Sequence, residues 1–244
     1  PSMNTDKKQA LSVHLKAIRR MLIVSVASVA VLFVLFFYLL CGPLVDFVLA
    51  PVRARGIEVI TTSVSEALMM QFKVCLIAAV IAGMPVIIWQ VWVFVAPALY
   101  PQEKRLFAAL FFVALLLFVG GVVFCYCLVF PMAIDLFWSA ADGVASTLWS
   151  VKEYFNFVLS FVLPFGLMFE LPVVVYMLAR RGLVTYQKLA HSRKYVILVI
   201  AIIAAILTPP DAVSQCMLAI PMILLYEVAA QLARLVKPKK PAEA

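Results

Sequence analysis

Tyr195–Leu207 reads YVILVIAIIAAIL, Thr208–Asp211 reads TPPD, and Val213–Leu232 reads VSQCMLAIPMILLYEVAAQL. How this stretch is read decides the fold. Paired prolines cannot continue a helix, so the two apolar runs are separate helices joined by a tight reversal. The first run has thirteen residues. At a rise of 1.5 Å per residue it covers about 20 Å, against a hydrocarbon core of about 30 Å. It either crosses, with the bilayer thinned around it or with its proline turn inside the membrane profile, or it is a buried re-entrant helix that never spans. The first alternative is favoured because the charge pattern below requires an even number of crossings.

Working towards the N-terminus, four further runs are long enough to span. The spans predicted in all are residues 21–41, 74–96, 106–130, 154–179, 195–207 and 213–232. The chain as a whole bears this out: 66% of its 244 residues are hydrophobic and 13% are charged, with a mean hydropathy of +1.10. Soluble domains are nearer 45–50% apolar and about 25% charged, so the solvent here is lipid. Residues 1–244 are read as a single polytopic membrane domain, all-α, with a short fifth and a short sixth helix. The first run is too long, and too poor in small residues after it, for a cleavable signal peptide. Pro1 and Ser2, ahead of Met3, read as additions to the natural start.

A net charge of +8 would raise nucleic acid binding in a soluble protein. Here the cations flank apolar runs. Sixteen of the twenty Lys and Arg fall on one side: Lys7, Lys8, Lys16, Arg19 and Arg20 before the first run, Lys104 and Arg105 after the second, Arg180, Arg181, Lys188, Arg193 and Lys194 after the fourth, and Arg234, Lys237, Lys239 and Lys240 after the sixth. Arg53, Arg55, Lys73 and Lys152 fall on the other. The positive-inside rule then puts both termini in the cytoplasm.

The outer connections are expected to carry short helices. In residues 42–72, Pro43 and Pro51 act as breakers and Ser63–Gln71 is a helical candidate; residues 131–152 open on Pro131 and hold the turn signal Asp142-Gly143. Before the first run, Leu11, Ile18 and Leu22 share a stripe, which predicts a helix lying in the interface before turning into the bilayer. The five cysteines, Cys41, Cys75, Cys125, Cys127 and Cys216, form no CxxC pair and read as small apolar packing residues. His14 and His191 stand in cytoplasmic flanks, away from any G-x-S-x-G or H-E-x-x-H pattern, so no enzyme, metal or cofactor is expected.

The polar residues inside the runs carry the functional signal. Glu170 stands deep in the fourth run, between Pro164 and Pro172, which predicts a bend and a polar opening there. A carboxylate in hydrocarbon costs several kcal/mol unless protonated, paired or facing water. Proton relay, ion site, recognition surface and structural glue all fit this residue. Glu227 stands near the cytoplasmic end of the last run, and Thr208, Asp211 and Gln215 gather at its outer end. Asp211 and Ser214 suit a helix start, and the same group suits a patch for a partner helix. Trp89–Tyr100 is an aromatic belt leading into the basic loop with Glu103.

Three segments bring a family into view: Val91–Tyr100 followed by Glu103; Phe169-Glu170-Leu171-Pro172; and Leu207-Thr208-Pro209-Pro210-Asp211 with Gln215. With His14-Leu15, Arg19 and Ala219-Ile220-Pro221-Met222, they resemble TatC, the core subunit of the twin-arginine protein translocase, over nearly the whole chain. The resemblance implies a cupped bundle and a receptor rather than an enzyme. It would bind signal peptides carrying paired arginines and export folded proteins across the bacterial inner membrane, driven by the proton-motive force. TatA- and TatB-like single-span proteins would be its partners, in an oligomer.

By resemblance, Glu103, Phe94 and Arg19 form the signal-peptide surface, since guanidinium and carboxylate make charge-assisted bonds. Glu170, Thr208, Gln215 and Glu227 would meet the signal peptide or partner helices, and Pro85, Pro209, Pro210 and Asp211 would stand in structural or functional loops. In one place the chain departs from the family, which carries a glutamate three residues after the histidine. Here that residue is Ala17, so arginine recognition is expected to be weaker. The rival to this reading is a proton- or ion-coupled small-solute transporter using Glu170.

Overall fold

The computed structural model describes the backbone of residues 2–99, 104–141, 148–208 and 211–236. In chain order the elements are α1 (Ser2–Leu39), α2 (Cys41–Arg53), β1 (Val59–Ile60), α3 (Val64–Leu99), α4 (Lys104–Phe124), a π-helical turn (Cys125–Val129), α5 (Phe130–Ala141), β2 (Trp149–Ser150), α6 (Val151–Met168), α7 (Leu171–Arg180), α8 (Tyr186–Leu207) and α9 (Ala212–Leu235). Among the described residues, six helical stretches are long and apolar enough to cross a membrane: Leu15–Leu39, Val64–Phe94, Ala108–Ala140, Val151–Arg180, Tyr186–Leu207 and Ala212–Leu235. The six expected spans are these six. The face of the bundle that carries the start of α1 and the end of α9 is here termed the terminal side.

Several boundaries differ from the sequence-based expectation, each for a local reason. No Gly or Pro interrupts residues 5–39, so the basic N-terminal segment continues the first span as one helix, α1, instead of lying apart in the interface. Pro43 sits in the first turn of α2, where its missing N–H is no loss. Pro51 does not break α2, which ends two residues later at Arg53. The third span runs past Pro131 to Ala141 because the π turn widens the helix ahead of the proline; Phe130 N–H bonds the Cys125 carbonyl five residues back. Pro85, expected in a loop, lies inside α3, where packing against neighbouring helices holds the backbone through the proline. The fifth helix gains its length from the charged segment Tyr186–Lys194 ahead of the apolar run, and totals 22 residues. Thr185 caps it, with Oγ1 accepting from Lys188 N–H.

The core is aromatic. Phe118, Phe130, Phe155, Phe161 and Phe165 are fully buried where α4, the π turn, α5 and α6 meet. Large apolar side chains elsewhere face outward, among them Val26, Leu116 and Ile206, as lipid contact requires. Two glycines set the closeness of α4 and α6. A Cβ on Gly121 would stand 2.8 Å from the Phe165 carbonyl oxygen and 2.9 Å from the Phe169 ring; one on Gly166 would stand 2.5 Å from the Phe118 ring. Small residues let membrane helices approach closely, and here they let whole rings pack into the crossing.

On the side opposite the termini, the connections are knitted together. Val59 and Ile60 pair in parallel with Trp149 and Ser150. Arg55 holds both carboxylate oxygens of Asp135, at 2.6 and 3.1 Å. That hydrogen bond raises the pKa of the Arg55 guanidinium against the opposing pull of burial. The hydroxyls of Tyr126 and Tyr154 donate to the Phe47 and Val48 carbonyls, each at 2.8 Å. α2 is thereby fastened across the ends of the third and fourth spans.

Candidate functional site

Three polar regions emerge from this frame. The first lies between α1 and α3 towards the terminal side. One turn of α1 (Lys16, Ala17, Arg20) faces Trp89, Gln90 and Phe94 of α3 across a cavity of about 440 Å³. The antiparallel packing of α1 on α3 brings these turns together. Phe94 is half-buried in this wall, whereas Arg19 is exposed and is not among the lining residues. Ala17 contributes only a methyl group, so the α1 wall is basic, without an acid among the described lining residues. Glu103, like Pro209 and Pro210, lies outside the described residues.

The second region is the break in the fourth span. Phe169 N–H bonds back to the Phe165 carbonyl, and Glu170 N–H to that of Leu167, closing α6 with a tightened turn. The Glu170 carbonyl then accepts from Val173 and Val174 and starts α7, with Pro172 in its first turn. The bend expected between Pro164 and Pro172 thus falls at Phe169–Glu170, while Pro164 stays inside α6. The Phe169 ring lies close against Gly121 of α4. One oxygen of the neighbouring carboxyl, Glu170 Oε1, is buried without a hydrogen-bond partner among the described residues. Such an orphan in apolar surroundings is costly.

The third region is the α8–α9 hairpin. At its turn, Thr208 is buried and its hydroxyl donates to the Ala204 carbonyl at 2.8 Å. Asp211 is the N-cap of α9, with Oδ1 accepting from Ser214 N–H at 2.7 Å. One turn along, Gln215 Nε2 donates to the Ala201 carbonyl of α8 at 3.1 Å. The Gln215 bond ties the two helices to each other, while the other two close the end of α8 and the start of α9. At the far end, Glu227 accepts from Arg193 of α8 at 2.5 Å and from Gln231 at 2.9 Å. Arg193 also donates to the Tyr186 hydroxyl, and Arg234 lies over the Tyr186 ring. The Tyr226 hydroxyl donates to the Leu189 carbonyl at 2.8 Å.

Sequence reasoning counted Arg193 only as a flanking cation and missed this clasp. A signal was present: Arg193 and Glu227 stand at nearly equal distances from the Thr208–Asp211 turn, so a hairpin brings them to one depth. Of the predicted residues, Thr208, Asp211 and Gln215 come together at one end of the hairpin and Glu227 stands at the other. Glu170 is in a separate span, and Phe94 with Arg19 in a third place on the terminal side. Among the described residues no three metal-binding side chains gather.

The profile of the TatC family, Sec-independent protein translocase protein (TatC), matches residues 13–221. The Sec-independent protein translocase protein TatC of Carboxydothermus hydrogenoformans is 38% identical over 236 residues, 96% of this chain and 97% of that protein. The Haemophilus influenzae protein of the same name is 36% identical, over 97% of this chain and 93% of its own length. A crystal structure of the twin-arginine translocase receptor TatC superposes with a TM-score of 0.86 at 36% identity, covering 91% of this chain and 98% of that one. The chain is a multi-pass membrane protein and belongs to the TatC family of Sec-independent protein translocase components.

Proposed function

We propose that this chain is the signal-peptide receptor of a twin-arginine translocase in the bacterial cytoplasmic membrane, with both termini in the cytoplasm. The observation that carries the proposal is the α1–α3 cavity on the terminal side, lined by Phe94, in a chain of this family. The strong Lys and Arg excess on that side supports the orientation. A peptide arriving from the cytoplasm meets this cavity first.

Glu103 supplies the carboxylate for the arginine pair, with Phe94 and Arg19 shaping the surface around it. Glu170, with its orphan oxygen, takes a polar group of the signal peptide or of a partner helix once one docks. Thr208, Gln215 and Glu227 provide the polar edge along which TatA- and TatB-like single-span proteins assemble in an oligomer. Transport of folded cargo draws on the proton-motive force, and no bond of the cargo is made or broken, so the chain is not an enzyme. The short apolar part of α8 thins the bilayer beside this edge.

Photo-crosslinking from position 103 in membranes tests the proposal, with a twin-arginine precursor and a twin-lysine control. Capture of the first alone is the expected result. Capture of neither by properly inserted protein would overturn the receptor role and return the solute-transporter reading through Glu170.

A further inference from the structure

On the side opposite the termini, between α5, β2, α6 and the start of α9, lies a cavity of about 340 Å³ that shares Asp211 and Ser214 with the α8–α9 turn. Phe137, Trp149 and Phe157 give it apolar walls, and Glu153, Asp211 and Ser214 give it acceptors. Ser214 is fully buried, and its Oγ has no hydrogen-bond partner among the described residues. Neither Glu153 nor Asp211 has an ion-pair partner among the described residues. Two carboxylates without an ion-pair partner among the described residues (one oxygen of Asp211 already caps α9), an unsatisfied hydroxyl and an indole ring form a pocket for a cation that brings its own N–H donors. Its size falls at the lower end of the range of about 300–1,000 Å³ usual for small-ligand sites.

We propose that this cavity holds the primary ammonium of an aminophospholipid. The position argues for a lipid over a soluble amine. The third span ends, and the fourth and sixth begin, around the pocket, so it sits at the boundary of the hydrocarbon. On the neighbouring flank of α9 runs a second cavity of about 520 Å³, lined by Leu128, Met132, Val213, Cys216 and other uncharged side chains. An acyl chain fills such a groove; a soluble amine has nothing to place there. A primary ammonium donates to Glu153, Asp211 and Ser214 Oγ together. A trimethylammonium headgroup has no N–H to offer, and a phosphatidylglycerol headgroup has no cation.

Native mass spectrometry of the full-length protein tests this, in mixed micelles holding equal amounts of phosphatidylethanolamine, phosphatidylcholine and phosphatidylglycerol with the same chains. Retention of phosphatidylethanolamine about tenfold above the other two is expected. Glu153→Gln, at an exposed carboxylate, and Ser214→Ala should each cut that preference several-fold with an unchanged melting temperature. Should Ser214→Ala unfold the protein, Glu153→Gln alone decides the matter. Equal retention of the three lipids, or a preference untouched by Glu153→Gln, would overturn the proposal. So would displacement of the lipid by free phosphoethanolamine at equal concentration, which would make the ligand a soluble amine.

Discussion

Glu170 and Glu227 both stand in apolar spans, and their surroundings treat them in opposite ways. Glu227 is answered from within the chain: Arg193 crosses from α8 to meet it, Gln231 adds a second donor, and Tyr186 holds the arginine in place. Glu170 is answered by nothing among the described residues at its buried oxygen, although the backbone around it is hydrogen-bonded on both sides of the break. The paired acid makes the last two helices one unit. The unpaired acid sits at the break between α6 and α7, beside the close contact of Phe169 with Gly121. A buried polar group without a partner is a standing cost, and a rigid frame is what allows the fold to carry it.

The largest effect should come from disturbing that frame. Gly121→Ala drives a methyl group into the Phe165 carbonyl and the Phe169 ring, and the backbone cannot yield cheaply. Roughly 1–3 kcal/mol of stability should be lost, as overpacking elsewhere costs, with a clear fall in the detergent melting temperature. An unchanged melting temperature would mean that the break at Glu170 is not rigid. Arg193→Ala should come next, because it strands Glu227 beside Gln231. Its melting temperature should fall less than that of Gly121→Ala, and adding Glu227→Gln should restore part of the loss. Additive losses in that double-mutant cycle would dissolve the clasp into two independent side chains.

Glu170→Gln should change stability least, within about 1 kcal/mol, because no bond of the described residues is broken. Cargo export should nonetheless fall. A stability loss equal to that of Gly121→Ala would make Glu170 structural glue and erase the contrast with Glu227. Ala17→Glu asks the same question at the membrane surface, where a carboxylate would gain water and mobile cations as neighbours. A hydrogen bond to a charged group is worth about 1.5–3 kcal/mol, and less where exposed. Affinity for a twin-arginine peptide should therefore rise only a few-fold, read by titration in detergent. No rise would mean that the basic wall of α1 is not part of the peptide surface.

Much of this was legible in the sequence. Six apolar runs, the Thr208–Asp211 reversal, the bend near Glu170 and the cap by Asp211 follow from residues within one turn of each other. What escaped depends on partners far along the chain. The pairing of Val59–Ile60 with Trp149–Ser150 is two residues long and carries no alternation to find. Arg55 and Asp135 are eighty positions apart. The loop expectation for Pro85 failed because a proline in a membrane helix is supported by neighbours the sequence does not name. The π turn at Cys125–Val129 has no composition of its own; only the helix that continues beyond Pro131 reveals it.

That π turn acts as a phase shifter. It inserts one extra residue into a helix of 3.6 residues per turn, so everything after it is rotated by about 100° from where an unbroken helix would point it. In the rotated frame Ile134 lies in the core and Asp135 meets Arg55. Losing one residue anywhere within Cys125–Val129 would leave the composition of the span almost untouched. It would also swing Asp135 off its arginine and unlatch α2 from the far side of the bundle. The span is thus intolerant of a change in length, as a gear tooth is.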